Sequence, residues 1–249
     1  MKLSRVLPQQ VLFGLLLILL SVLFYVLHYV IFRDAHHIFL YLVGDIAFVF
    51  VEVLLVTLII HQVLSERERR SMLKKLNMVI GAFFSEVGTP LLKHFGAFDA
   101  KADEMASRLK VDANWSHRDF QQAKMGLGRH EYGIDGTQGN LKDLQDFLVA
   151  KRQFLLRLLE NPNLLEHEQF TELLWAVFHL ADELSHRTTV ADLPGSDCQH
   201  LGGDIRRAYT LLLREWLSHL EHLKASYPYL FSLAIRTNPF SPEVSVEVR

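Results

Sequence analysis

The chain lacks most of the features that would name a reaction. Cys198 is its only cysteine, which excludes an intrachain disulfide and suits a reducing compartment. His200 lies two residues further on, but a catalytic Cys–His pair is normally assembled from distant segments. An excess of charge of one sign is also missing. The formal net charge is −2. The first 64 residues hold three bases (Lys2, Arg5, Arg33) and three acids (Asp34, Asp45, Glu52), leaving 23 basic and 25 acidic residues beyond them. That balance gives no electrostatic reason to bind nucleic acid, so no nucleic-acid partner is expected. No stretch alternates as a strand does, and there is no internal repeat or low-complexity tract. Gly126 and Gly128 begin like a dinucleotide fingerprint, but Glu131 stands where the third glycine belongs and no strand precedes them. No catalytic constellation and no cofactor are expected.

Apolar residues are the abundant feature. They make up 50% of the chain and crowd into the first 64 positions, in spans of about 11–32 and 38–61. About 20 apolar residues cover a ~30 Å hydrocarbon core. Val11 to Phe32 is longer than a secretory apolar region of about 7–15 residues, and no small-residue cleavage site follows it. The connecting RDAHH, Arg33 to His37, has room only for a tight turn. Lys2 and Arg5 precede the first span, Arg67, Arg69, Arg70, Lys74 and Lys75 follow the second, and Arg33 alone lies between. The basic flanks predict a two-helix transmembrane hairpin in a bacterial cytoplasmic (inner) membrane, with both termini cytoplasmic and the bilayer as partner.

The second span carries two acids in its interior, Asp45 and Glu52. Each costs roughly 2.5–3.5 kcal/mol at mid-bilayer while each Leu, Ile, Phe or Val returns about 0.3–0.6, so the span inserts with little to spare. The acids are seven residues apart and so fall within about 20° of one helix face. With Ala35 as the apex of the hairpin, Tyr25 and Asp45 are at equal depth, with Ser21 and His28 one turn to either side. Glu52 is level with Ile18 and has no polar neighbour at that depth. Asp45, Glu52, His28 and Tyr25 are therefore the candidate functional residues. Ionisable side chains within a membrane face cavities or interfaces, and here they serve either helix association in a homo-oligomer or the handling of an ion or proton. His28, Asp34, His36 and His37 crowd the outer end, but no fixed ligand spacing supports a metal there.

From Ser65 the pattern becomes amphipathic. Met72, Leu76, Val79, Ile80, Phe83, Phe84 and Val87 recur at helical spacing, which predicts a juxtamembrane stalk over 65–96 that continues the second span and breaks near Gly88, Thr89 and Pro90. Its stripe needs a second copy, the cytosolic body or the bilayer surface as partner. The remainder, 97–249, reads as a helical bundle able to fold alone. Helices are expected at Asp99–Leu109 with Asp99 as cap, at Ser116–Met125, from Asn140 to Asn161, from about Glu166 to Arg187, and from Ile205 onward with Tyr209, Leu212, Trp216, Leu220 and Leu223 on one face. A short terminal helix is expected over YPYLFSLAIR. The glycine-rich 126–140 is the expected hinge or subdomain boundary.

Glu183-x-x-His186 resembles half of a carboxylate-bridged metal motif. Leu173, Val177, Leu180 and Leu184 nevertheless form the inward stripe, which puts Glu172, His179, Asp182, Glu183 and His186 on a solvated face. The expected protein is all-α: a transmembrane hairpin, a stalk and a cytosolic bundle. It is expected to be non-enzymatic, self-associating, and to hold a regulatory or scaffolding domain for an unknown cytosolic protein partner. The alternative is an oligomeric ion or proton conductor using Asp45 and Glu52, and a weaker third is a membrane-tethered metalloenzyme.

Overall fold

A computed structural model describes residues 9–162, 164 and 167–241. Among these residues the regular structure is entirely helical, apart from one isolated bridge between Asp99 and Ile134. The chain divides into two compact units at Arg69–Arg70.

The first unit holds α1 (Gln9–Phe32) and most of α2 (Ala35–Phe83). Only Arg33 and Asp34 separate them, so the turn is shorter than RDAHH. Arg33 takes φ 49, while its N–H donates to the Tyr29 carbonyl at 2.8 Å. The Asp34 carboxylate accepts the His37 N–H at 3.1 Å and so occupies one of the orphan donors at the start of α2. Both helices are long and apolar enough to cross a membrane by length and composition, and none of the most apolar window of either is buried. Val11 is 43% exposed and Phe50 75%.

The second unit has one continuous core. It comprises the last turns of α2, a π-helical turn (Phe84–Gly88), α3 (Thr89–Gly96), α4 (Ala102–Arg108), α5 (His117–Arg129), α6 (Leu141–Leu159), α7 (Glu168–Ser185), α8 (Gly195–Ser226) and α9 (Pro228–Arg236). The partner of the amphipathic stripe is the body itself. Leu76, Ile80, Phe83, Phe84 and Val87 are buried in the same core as Leu212 and Leu220, and the Phe83 ring meets Phe170 edge-on at 5.3 Å. Each such side chain gains roughly 1.5–3 kcal/mol on burial, so residues up to Gly96 belong energetically to the body.

The break near Pro90 is the π turn. A proline inside an α-helix clashes with the carbonyl four residues back. Here the turn widens instead, and the Thr89 N–H reaches the Phe84 carbonyl five residues earlier. Gly88 is required by close approach, since a Cβ there would stand 2.6 Å from the Phe84 ring.

Helix α8 organises the rest, packing against α3, α5, α7 and α9, while α6 packs on α7. Ile205, Tyr209, Leu212, Trp216, Leu220 and Leu223 are all buried, as their spacing predicts. Ser116 opens α5 with a full capping box to Asp119, whose carboxyl is held low chiefly by the Ser116 hydroxyl. Asn140 caps α6 by accepting the Asp143 N–H. The Gln145 amide donates to the carbonyls of Leu184 and Arg187, each at 2.8 Å, tying α6 to the end of α7.

Three sequence expectations are corrected. Asp99 does not cap α4, which begins after Lys101. Its Oδ1 instead accepts the N–H groups of Lys101 and Gly133 and pins the glycine-rich loop. Helix α5 runs on through Gly126 and Gly128 to Arg129, and α8 starts at Gly195, ten residues before Ile205. In both cases packing against neighbouring helices outweighs the roughly 1 kcal/mol that each interior glycine costs. The glycine-rich segment packs closely on α8. A Cβ on Gly136 would lie 2.3 Å from the Cys198 carbonyl oxygen, and one on Gly202 would lie 3.3 Å from the Gly136 nitrogen. The glycines here permit backbone contact with α8.

Gly136→Ala is expected to destabilise the protein by about 1–3 kcal/mol through overpacking. Gly126→Ala, whose Cβ would meet nothing within 4 Å, should be neutral or stabilising by about 0.5–1 kcal/mol; denaturant titration of both variants checks the contrast. A fragment spanning 70–249 should be soluble and strongly helical by circular dichroism, whereas one starting at residue 97 should lose cooperative unfolding because it lacks the buried stripe from Leu76 to Phe95.

Candidate functional site

In the first unit the turn brings polar residues of the two helices to one cavity. Ser21, Tyr25 and His28 of α1 and His37, Tyr41 and Asp45 of α2 line one cavity of about 800 Å³ at the turn end. The rings of His28 and His37 stack with centroids 6.1 Å apart and planes 8° apart, and Tyr41 meets His37 edge-on at 4.6 Å. His28 Nδ1 is buried without a hydrogen-bond partner. Tyr41 was not among the expected residues, although His37, Tyr41 and Asp45 recur every four positions and so share one face of α2. Glu52 lies outside this cavity and is exposed. Among the described residues no group of three or more His, Cys, Asp or Glu side chains is arranged to hold a metal ion. At the turn, Asp34 is engaged in the α2 cap instead.

The polar face of α7 forms an ion-pair rim with its neighbours. Arg187 bridges Glu183 and Asp197, each at 2.7 Å, and Arg152 reaches Asp182 at 2.8 Å. These guanidinium bonds hold all three carboxyls below their ordinary range. His186 Nδ1 donates to the Asp182 carbonyl at 2.8 Å rather than joining Glu183. Asp204, 7% exposed, takes Arg207 at 2.6 Å, with Nε2 of His179 and of His200 each 3.5 Å from its Oδ2. Cys198 and His200 do not pair: the thiol donates weakly to the Leu193 carbonyl at 3.8 Å.

The other residues that sequence reasoning missed lie on α8. Glu215 is 2% exposed, and its Oε1 has no hydrogen-bond partner. Burial pushes its carboxyl up to about 7 despite the opposing charges of Lys124 and Arg214. One turn on, His219 stacks flat on Phe84 at 4.8 Å, and burial, then the neighbouring His222, pull its imidazole down to about 4. His222 is also lowered by burial, and its Nε2 is buried and unpartnered. Glu215, His219 and His222 recur at spacings of four and three, the signal that identifies a shared helix face. The two histidines line a second cavity, of about 620 Å³, together with the end of α2, the π turn and α9.

The structure thus defines an all-helical protein with two apolar helices of membrane-crossing length and a separately packed helical domain with a ligand-sized cavity. The chain belongs to the family of the uncharacterized protein MJ1433. Residues 4–64 match the family model described as the MJ1433 N-terminal helical domain, and residues 72–236 match that of its C-terminal helical domain. The boundary between the compact units falls in the gap between them. The Methanocaldococcus jannaschii protein of that name is 47% identical over 224 residues, covering 90% of each chain. No solved structure matches.

Glu215 and His219 titrate in opposite senses. Folded Glu215 holds its proton more tightly than the unfolded chain does, so it lowers stability progressively as pH rises from 4.5 to about 7. Glu215→Gln should therefore gain on the parent with rising pH, by up to about 3 kcal/mol above pH 7, and show no such gain below pH 4.5. His219 resists protonation when folded, so its contribution to stability is lost as pH falls from 6.5 to about 4. His219→Phe should remove that acid-side loss; urea denaturation followed by tryptophan fluorescence across the range measures both.

Proposed function

We propose that the protein is a membrane-anchored, non-enzymatic regulator or scaffold. Helix α1 and the apolar part of α2 cross the cytoplasmic membrane of a bacterial or archaeal cell as a hairpin, with both chain ends inside. The helical body stands on the cytoplasmic side, where it engages another protein. The observation that carries this proposal is that no residue in either membrane-length apolar window is buried, leaving an apolar surface far larger than soluble proteins leave uncovered. The many basic residues after the second span, against Arg33 alone at the turn, support the orientation.

Self-association follows from Glu52. It has no partner among the described residues of its own chain, and an ionisable group in hydrocarbon needs water, neutralisation or a polar contact. A contact from a second hairpin supplies this, and interhelical polar contacts in membranes are worth about 0.6–2 kcal/mol each. The second reading, an oligomeric ion or proton conductor, is favoured by one observation, the gathering of His28, His37, Tyr25, Tyr41 and Asp45 around the turn-end cavity.

Reporters fused after Gln10 and after Leu64 are expected in the cytoplasm and one inserted at Arg33–His37 outside; an external C-terminal reporter would falsify the hairpin. Glu52→Leu is expected to weaken crosslinked oligomers while Glu52→Gln preserves them. Loss of cation or proton flux in proteoliposomes with Glu52→Gln, oligomers intact, would instead establish the conductor.

A further inference from the structure

The cavity between the end of α2, the π turn, α8 and α9 has the properties of a small-molecule site. Its volume of about 620 Å³ lies in the usual range for ligand pockets, about 300–1,000 Å³. Its described lining contains no Asp, Glu, Lys or Arg. The polar groups it offers are hydroxyls, such as those of Ser85 and Thr89, the Asn77 amide and the imidazoles of His219 and His222. Both imidazoles sit below the ordinary histidine range because of burial, so at neutral pH they present no charge. A charged ligand would lose its hydration here without gaining a counter-ion. An uncharged one would not.

The shape of the ligand follows from the rings. Phe84, Trp216, His219, His222 and Tyr227 all face the cavity, with Phe84 and His219 already stacked at 4.8 Å and 11°. His222 and Tyr227 stand edge to face at 5.9 Å and 68°. Such walls favour a flat aromatic guest. His222 Nε2 is buried and has no hydrogen-bond partner, which leaves one polar valence to be filled, and a buried polar atom without a partner is costly. The π turn that presents Phe84 is a local departure of a kind frequent at functional sites. At the rim, Met78 is 64% exposed and Leu233 41%, so the cavity opens through apolar side chains.

We infer that this cavity binds an uncharged aromatic molecule bearing one hydroxyl, its ring among Phe84, Trp216 and Tyr227 and its hydroxyl donating to His222 Nε2. Binding is non-covalent and is separate from the turn-end cavity of the first unit.

The test uses the full chain in nanodiscs and two photoactivatable probes of equal size, a trifluoromethyl-diazirine benzyl alcohol and the corresponding benzoic acid, which is ionised at pH 7. After photolysis and proteolysis, mass spectrometry assigns labels to peptides, which separates the cavity from general partition into the bilayer. The alcohol should label peptides within 77–89 and 216–237, and excess benzyl alcohol should compete for that labelling. The benzoic acid should label them at least about fivefold less, the minimum expected from forcing a charge into an unpaired site. His222→Phe, which keeps a ring but loses the nitrogen, should lower labelling by about fivefold, the worth of one hydrogen bond. Ala234→Phe, which fills the cavity from α9, should abolish it. The proposal is overturned if the alcohol labels only residues 11–64, if the acid labels the cavity peptides equally, or if labelling is undiminished in Ala234→Phe. Full labelling in His222→Phe overturns the assignment of His222 as the polar contact. The comparison of the two probes needs no variant and stands whether or not the substitutions fold.

Discussion

The burial of α8 on several sides at once is the constraint from which the second unit follows. A surface helix buries one stripe and can be polar elsewhere, but α8 is packed by α3, α5, α7 and α9. Its apolar positions cannot line every one of those contacts. Glu215 and His219 are therefore taken out of water with the leucines around them, and each is driven toward its neutral form. The chemistry of the second cavity is a consequence of helix packing. Its histidines are neutral because the helix that carries them has little open side.

The opposite condition governs the first unit. There no residue along the most apolar windows of α1 and α2 is buried, and the ring contacts between the two helices are at the turn end. A backbone whose hydrogen bonds close within each helix tolerates a hydrocarbon surround, whereas the side chains do not tolerate water over such an area. Helix α2 changes from one regime to the other along its length: Ile60 is exposed and Ile80 is buried. The boundary between the compact units at Arg69–Arg70 falls among the basic residues that follow the apolar run.

Much of the architecture was legible because it depends on local pattern. The spacing of Leu76, Ile80 and Phe83 marks a face to be buried whatever buries it, and Ser116 and Asn140 open helices because their side chains reach the orphan N–H groups of the first turn. The approach of Tyr25 and Asp45 to one cavity needed only the rise per residue of a helix and a short turn. Asp99, Gly136 and Glu215 were not legible. Asp99 binds a loop 34 residues away, Gly136 lies against Cys198, and Glu215 is buried by other helices, so the role of each is set by a contact distant in sequence.

The sequence by itself determined the all-helical class, the two membrane-length apolar segments, the acids within the second and the amphipathic stripe beyond it. These follow from periodicity, length and capping, which are properties of neighbouring residues. Only the tertiary structure decided that the stripe belongs to the body, that the glycine-rich segment is a docked loop, and that Phe84, His219 and His222 share a cavity. Those outcomes depend on which surfaces meet, and helical periodicity says which face is buried without saying against what.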